Sequence, residues 1–454
     1  MKNILYICLV CMIPLSCISE EKLQEFTYSI DPTQFQYVES SLTIEQALKN
    51  IDYIYKNIDK DLGRTRKIHN IDLITSNELK NSIITRSSSN IPNNQPIAYI
   101  VNYEDEAGYA ILSADAKLPP VIMIGDNGNF STERFINFLD TNTTRSTSTF
   151  DFADSLQYMM ISNSLVLPEF DNEFEGEPLI TARDTNIILR CAPLVPTKWS
   201  QKSPYNYFSP TDTDNTQKYP AGCVPVACAQ VLASLCYHHN FRPCTDISTN
   251  YPVDWSLLNS VISADTIKYN STDRTPGALN IASLIRSIGE ITVDTYSHSG
   301  TGGETDLFVD TLLDIGCSSA QYMFASALPD NTLFDMIVAK NFPVIADAWH
   351  QTTSGTMRGH CFIIDGWLRL EYTMNMIYKI PGTNMFNDHF EIGHKQFDLV
   401  HVNFGWGGKS DGYYIPRSFD ISNHEFDDYQ EDNDEPIFYP YNFCISTCYL
   451  TYDL

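Results

Sequence analysis

The sequence predicts an α+β fold in two successive units, on three observations. Apolar residues recur at Leu42, Ile44, Ala47, Leu48, Ile51, Ile54, Tyr55, Ile58 and Leu62, steps of mostly three and four that draw one face of a helix. Short β-rich runs bounded by turn residues follow this helix and return near the C-terminus. In the second half, helical runs come first and strands afterwards, which fits α+β rather than a doubly wound sheet. With 454 residues the chain exceeds one average domain.

Taken in order, the chain opens with Lys2, an apolar run from Ile4 to Leu15, then Ser16 and Cys17, the layout of a signal peptide. The run is too short to span a bilayer. Pro14-Leu15-Ser16-Cys17 resembles a bacterial lipoprotein box, which makes 1–16 the removed segment and Cys17 a lipidated first residue; an ordinary signal peptide with an incidental Cys17 is the other reading. Ser19-Glu20-Glu21-Lys22 resembles a surface-export signal of some Gram-negative lipoproteins. Export from a bacterium is therefore expected, as an outer-membrane or cell-surface lipoprotein or as a secreted protein. No later segment is long and apolar enough for a transmembrane helix.

Thr43 is the expected N-cap of the first helix, with Gln46 completing a capping box. Strands are expected at Ile97–Tyr103 and Gly108–Ala114, joined by a turn around Glu104-Asp105-Glu106, and at Val121–Ile124. Arg86–Asn94 reads as a loop, and the polar Asn142–Ser148 and acidic Phe170–Pro178 read as exposed linker. A boundary between about Glu173 and Cys191 divides an N-terminal unit, 17–190, from a C-terminal unit, 191–454. The second unit should hold helices around Pro225–Tyr237 and Asn280–Ile288 and strands at Pro343–Ala348, Cys361–Asp365, Asp398–Val402 and Gly412–Ile415. The acidic run Glu425–Glu435 reads as a solvated loop rather than a calcium site.

A formal net charge of -27 argues against nucleic-acid binding, which needs clustered Lys and Arg. Of twelve cysteines, three (Cys8, Cys11, Cys17) lie in the signal region, leaving an odd nine. At least one thiol is therefore unpaired, in a compartment where free thiols oxidise.

Tyr219-Pro220-Ala221-Gly222-Cys223-Val224-Pro225 places a glycine and a cysteine just ahead of a helical run. Pro225 belongs in a first turn, which sets the helix start near Cys223. A thiol there meets the positive end of the helix dipole, which favours thiolate. From these residues alone Cys223 is either a nucleophile or a small hydrophobe at a helix start, whereas Cys228 and Cys236 read as core. A nucleophilic thiol needs a base. Gly359-His360-Cys361-Phe362 places His360 at the mouth of a buried strand behind a glycine, while His401 inside an apolar strand reads as a satisfied core histidine. His238, His239, Cys236 and Cys244 match no structural zinc spacing, and neither metal nor cofactor is expected. Asn403-Phe404-Gly405-Trp406-Gly407-Gly408 sets an amide at a strand end before a glycine-rich turn carrying an aromatic. An amide can fix an imidazole tautomer and an indole can shield it, though by itself the segment also reads as a turn with a packed Trp.

Together with Pro196-Thr197-Lys198-Trp199-Ser200-Gln201, Pro204-Tyr205-Asn206, Ser299-Gly300-Thr301, Phe342-Pro343-Val344 and Asp411-Gly412-Tyr413-Tyr414, these segments resemble, in order, a streptopain-type peptidase of the papain-like clan. Gly108-Tyr109-Ala110-Ile111-Leu112-Ser113-Ala114-Asp115 resembles that family's inhibitory prodomain. The resemblance implies a papain-like fold preceded by a small α+β prodomain with an antiparallel sheet, made as a zymogen whose own propeptide is an intramolecular inhibitor of a cysteine endopeptidase acting on proteins or peptides. It implies Cys223 as nucleophile, His360 as base and then acid, Gln201 as oxyanion donor with the Cys223 N–H, Asn403 orienting His360 and Trp406 packed nearby. Thr301 and Gly359 fall where the family contacts substrate backbone. Phe404 stands where members usually have Trp, and Pro225 and Cys361 where they usually have small residues. Competing readings are an inactive surface binding protein and a Cys-His acyltransferase or transglutaminase-like enzyme on the same fold.

Overall fold

The computed structural model describes residues 42–62, 64–75, 96–114, 119–135, 179–212, 214, 217–263, 268–298, 300–324, 331–351, 357–377, 390–415 and 443–449. The signal region with Cys17, the segments Arg86–Asn94, Asn142–Ser148, Phe170–Pro178 and Glu425–Glu435, and Ser299 lie outside the described residues.

Helix α1 (Ile44–Ile58) starts at the expected capping box: Thr43 accepts from the Gln46 N–H while the Gln46 side chain accepts from the Thr43 N–H. Its apolar face is buried, and Tyr55 reaches across to donate to the Tyr109 carbonyl at 2.9 Å. Strands β1 (Ile68–Thr75), β2 (Pro96–Tyr103), β3 (Tyr109–Ser113) and β4 (Val121–Gly125) form an antiparallel run beside it. β1 was not legible in sequence, since Asn70 and Asp72 interrupt its apolar positions. Its first half is only half-buried, so packing imposes no clean alternation on it. Asp59 is gripped by Arg64 at 2.8 Å and Arg66 at 2.7 Å, which ties the end of α1 to the strands.

Strand β5 (Leu179–Cys191) lies within the stretch, from about Glu173 to Cys191, where the sequence suggests a boundary. Then come α2 (Cys223–His238), α3 (Trp255–Ser263), α4 (Pro276–Thr292), the short pair β6 (Val293–Thr295) and β7 (Gly302–Gly303), α5 (Asp306–Asp314) and β8 (Ser319–Phe324). β9 (Val344–Gln351), β10 (Met357–Ile377), β11 (Phe390–Asn403), β12 (Gly412–Tyr414) and β13 (Phe443–Tyr449) follow. From Val224 to Cys236 every residue of α2 is buried, as an all-round apolar helix requires, and it packs on α3, α4 and β10.

Apart from the separate β6–β7 pair, the described strands make one antiparallel sheet in the order β1-β2-β3-β4-β12-β11-β10-β9-β13-β8, with β5 also on β10. β10 is long enough to pair with β9 over its first part and with β5 over its second. The N-terminal strands join the rest through β4 and β12, where Gly125 lies opposite Gly412. A Cβ on Gly412 would collide with the Ile124 carbonyl, so this seam requires glycine.

Candidate active site

Two rigid elements meet at the site. Gly222 adopts φ +100° immediately before α2, a conformation that L side chains avoid, and a Cβ there would lie 3.0 Å from Thr301 Cγ2. This glycine turns the chain so that Cys223 becomes the first helical residue. The part-buried Cys223 thiol faces the backbone N–H groups of Cys361, Val224 and its own residue. Burial pushes the thiol up to about 11, against the lowering effect of those amides, and the nearby Asp347 carboxyl adds to the rise.

From β10 comes His360, whose backbone lies opposite Ala348 of β9. Nε2 of His360 donates to the Phe404 carbonyl at 2.9 Å, so in the neutral ring Nδ1 carries the lone pair. Around the imidazole stand Trp406, with ring centroids 4.5 Å apart, Phe404 at 6.1 Å and Phe362 at 6.2 Å. Trp406 and Phe404 stack with an interplanar angle of 14°. The imidazole therefore sits in an aromatic enclosure that keeps its hydrogen bond dry.

Asn403 reaches the histidine through the backbone rather than directly. Its Nδ2 donates to Thr197 O at 2.9 Å, and its Oδ1 accepts from Gln230 Nε2 at 3.1 Å and from the Gly405 N–H at 3.0 Å. Gly405 N and Phe404 O belong to one peptide plane, so the amide fixes the group that holds His360. Gln230, missed in sequence, is the hub of this network: its Oε1 accepts from Thr197 Oγ1 and from Trp199 N, both at 3.0 Å. A long amide side chain inside a mostly apolar helix was the available signal.

Gln201 is buried, and its carbonyl accepts from Ala221 N at 2.9 Å, which places it beside the turn leading into Cys223. Thr301 donates through Oγ1 to Pro220 O at 2.8 Å, on the same turn. Gly359 is exposed at the edge of the site, next to His360. Thus the sequence-selected residues Gln201, Cys223, Thr301, Gly359, His360, Asn403 and Trp406 lie on elements that converge at the start of α2 and the mouth of β10. His239 is elsewhere, stacked on Phe342 with its Nε2 at 2.7 Å from the Asn341 carbonyl, and Cys236 is in the core.

His401 is the satisfied core histidine that its strand suggests, but with two carboxylates as partners. Nδ1 meets Asp365 Oδ1 at 2.6 Å and Nε2 meets Asp126 Oδ2 at 3.5 Å. Burial by itself would pull the ring down, yet the carboxylates outweigh it and hold His401 up at about 10, a buried imidazolium.

A thiol at a helix start, an imidazole on a strand of an antiparallel sheet and an amide-braced turn behind it fit the papain-like class, here with an N-terminal α+β prodomain. Sequence comparison places it further. Residues 199–414 match the Peptidase C10 family and residues 44–143 match the Spi protease inhibitor. The chain carries a domain of the Peptidase C10 family, the streptopain type, preceded by a Spi-type inhibitory domain. It is 22% identical over 347 residues to the thiol protease/hemagglutinin PrtT of Porphyromonas gingivalis, covering 70% of this chain and 34% of the relative. The chain thus spans about a third of the length of that curated relative. Among solved structures it resembles active wild-type interpain A of Prevotella intermedia, at 22% identity and a TM-score of 0.38, over 57% of this chain and 95% of that one. It also resembles a prointerpain A fragment from the same organism, at 20% identity and a TM-score of 0.44, over 77% and 95%.

Proposed function

We propose that the protein is the zymogen of an exported cysteine endopeptidase, with 17–190 as propeptide and linker and 191–454 as the peptidase unit. The reading is carried by one observation above the others: the Cys223 thiol and the His360 imidazole stand on adjoining rigid elements, with Nε2 held by the Phe404 carbonyl. That tautomer leaves Nδ1 to take the thiol proton. The thiolate attacks the scissile carbonyl, the oxyanion is received by Gln201 and the Cys223 N–H, and the imidazolium protonates the leaving amine. Water then opens the thioester with His360 as base, returning the thiol. Asn403 braces the Phe404–Gly405 peptide, Trp406 shields the imidazole, and Thr301 and Gly359 line the path of the substrate backbone. Proteins or peptides are the substrates, and the prodomain is the intramolecular inhibitor. We assign 1–16 to a cleaved signal and Cys17 to lipid attachment at the cell surface; [³H]palmitate labelling lost in Cys17→Ala tests that part separately.

A thiol pushed up to about 11 by burial is largely protonated at neutral pH. Purified chain from Glu20 onward, incubated under reducing conditions beside Cys223→Ala, should shorten to a fragment starting between Glu173 and Cys191 only when Cys223 is present. Iodoacetamide should label Cys223 slowly at pH 7 in the intact chain and rapidly after shortening. Intact wild type, with casein uncut and Cys223 unlabelled even after an added protease trims the prosegment, defeats the reading in favour of a binding protein.

A further inference from the structure

The carbonyl that holds His360 lies in the turn 404–411, which is awkward backbone: Gly405, Gly407, Gly408 and Ser410 all have positive φ. Such a turn keeps its shape only where its ends are fastened. Asn403 fastens the Phe404–Gly405 peptide from one side. From the other side, the Phe404 N–H donates to Asp411 Oδ1 at 3.0 Å, seven residues along, closing the turn into a ring. Phe404 and Asp411 are both buried, so this N–H has no water to replace a lost acceptor. The two peptides flanking the Phe404 Cα are therefore each pinned by one side chain, and their common product is the direction of the Phe404 carbonyl.

We propose that Asp411 is a positioning residue for the catalytic histidine, acting through Phe404, an inference that rests on the peptidase reading above. Asp411 touches neither the thiol nor the imidazole; it sets the Phe404 backbone, whose carbonyl sets the tautomer and angle of His360. The same residue meets the N-terminal domain: Asp126 N donates to Asp411 O at 2.8 Å, and Asn127 Nδ2 donates to Gly408 O at 3.0 Å. The prodomain thus grips the turn that aims the imidazole. Burial drives the Asp411 carboxyl up to about 7, opposed by Lys198, His401 and the Phe404 N–H and assisted by Asp126. Of these, Lys198, His401 and Asp126 are the charged groups.

The test uses enzyme matured from the full precursor, with active sites titrated by a thiol-reactive epoxide so that misfolded protein is not counted. Per titrated site, Asp411→Ala should lower kcat about tenfold or more with little change in KM, as loss of the buried acceptor of the Phe404 N–H implies. The acid limb of its kcat/KM–pH profile should move, because the imidazolium loses its fixed acceptor. Asp411→Asn, which keeps an acceptor in place, should restore most of the loss. If Asp411→Ala does not accumulate, Asp411→Ser, whose hydroxyl fits the space but falls short of the Phe404 N–H, is read in the same way. An alanine or serine variant with wild-type kcat per site and an unmoved pH profile overturns the inference, as does an asparagine variant as impaired as alanine. A wild type without Cys223-dependent hydrolysis instead defeats the peptidase reading and takes this inference with it.

Discussion

Replacing Asp126 with Asn should loosen the grip of the N-terminal sheet on the rest of the molecule in a pH-dependent way. Asp126 follows β4 and meets the buried imidazolium of His401 on β11, whose other face is held by Asp365. Holding His401 at about 10 against 6.5 in the open chain is a preference of about 5 kcal/mol for the charged ring. Two carboxylates hold it, Asp365 at 2.6 Å and Asp126 at 3.5 Å. Losing one charge-assisted hydrogen bond costs about 1–2 kcal/mol. For its part Asp126 is held well below the usual carboxylate range, because the His401 bond and charge, with Lys198 and Arg66, outweigh the cost of burial.

The signs follow from linkage. A histidine raised by folding contributes stability that is complete below about 6.5 and lost as pH rises through about 10. A carboxylate lowered by folding contributes stability above 3.8 that is lost on acidification through its folded value. Asp126→Asn should therefore cost about 1–2 kcal/mol between pH 5 and 9, and the difference should shrink below pH 4 and above pH 10. The measurement is urea unfolding in a Cys223→Ala background, which blocks self-cleavage, joined to hydrogen exchange at residues 121–125 and 412–414. Faster exchange in both segments is expected in Asp126→Asn at pH 7. Equal stability and equal exchange at pH 7, or a deficit that stays constant down to pH 3, would refute the buried imidazolium.

Two further outcomes are expected. Gln201→Ala in the matured enzyme should lose on the order of a hundredfold in kcat through the missing oxyanion donor, with Cys223 alkylation by iodoacetamide unchanged; a variant as active as wild type would remove Gln201 from the oxyanion site. Asp347, pushed up to about 6 by burial against the help of its Thr305 hydrogen bond, is destabilising when ionised. Asp347→Asn should thus raise the Tm at pH 8, with a gain that appears as pH climbs from about 4 to 6 and then levels; an equal gain at pH 3 and pH 8 would show that its cause is not the charge.

What was legible beforehand was local. The α1 cap needed only Thr43 and Gln46, and the strand at β3 needed only its apolar run between a glycine and a polar turn. The start of α2 could be placed because Gly222 and Pro225 restrict backbone angles through their own covalent structure, whatever the rest of the chain does. Strand β5 was hidden for the opposite reason. Polar and charged residues at Arg183, Asp184, Asn186 and Arg190 break up its apolar ones, and its place is set by pairing with the far half of β10, a partner distant in sequence.

The amino-acid sequence by itself carried the α+β class, through hydrophobic period and torsional preference, and an order of motifs that resembles one family. It was that resemblance, not local pattern, that singled out Cys223 and His360 together. Only the tertiary structure decided how the imidazole is aimed: by the Phe404 carbonyl, with Asn403 and Asp411 bracing the peptides on either side. It also decided that the N-terminal sheet continues through β4 into β12 and that Asp126 reaches His401, 275 residues away. A backbone carbonyl has no side-chain letter to announce its role, and a contact across 275 residues depends on chain closure rather than on local pattern, so neither leaves a mark in the sequence.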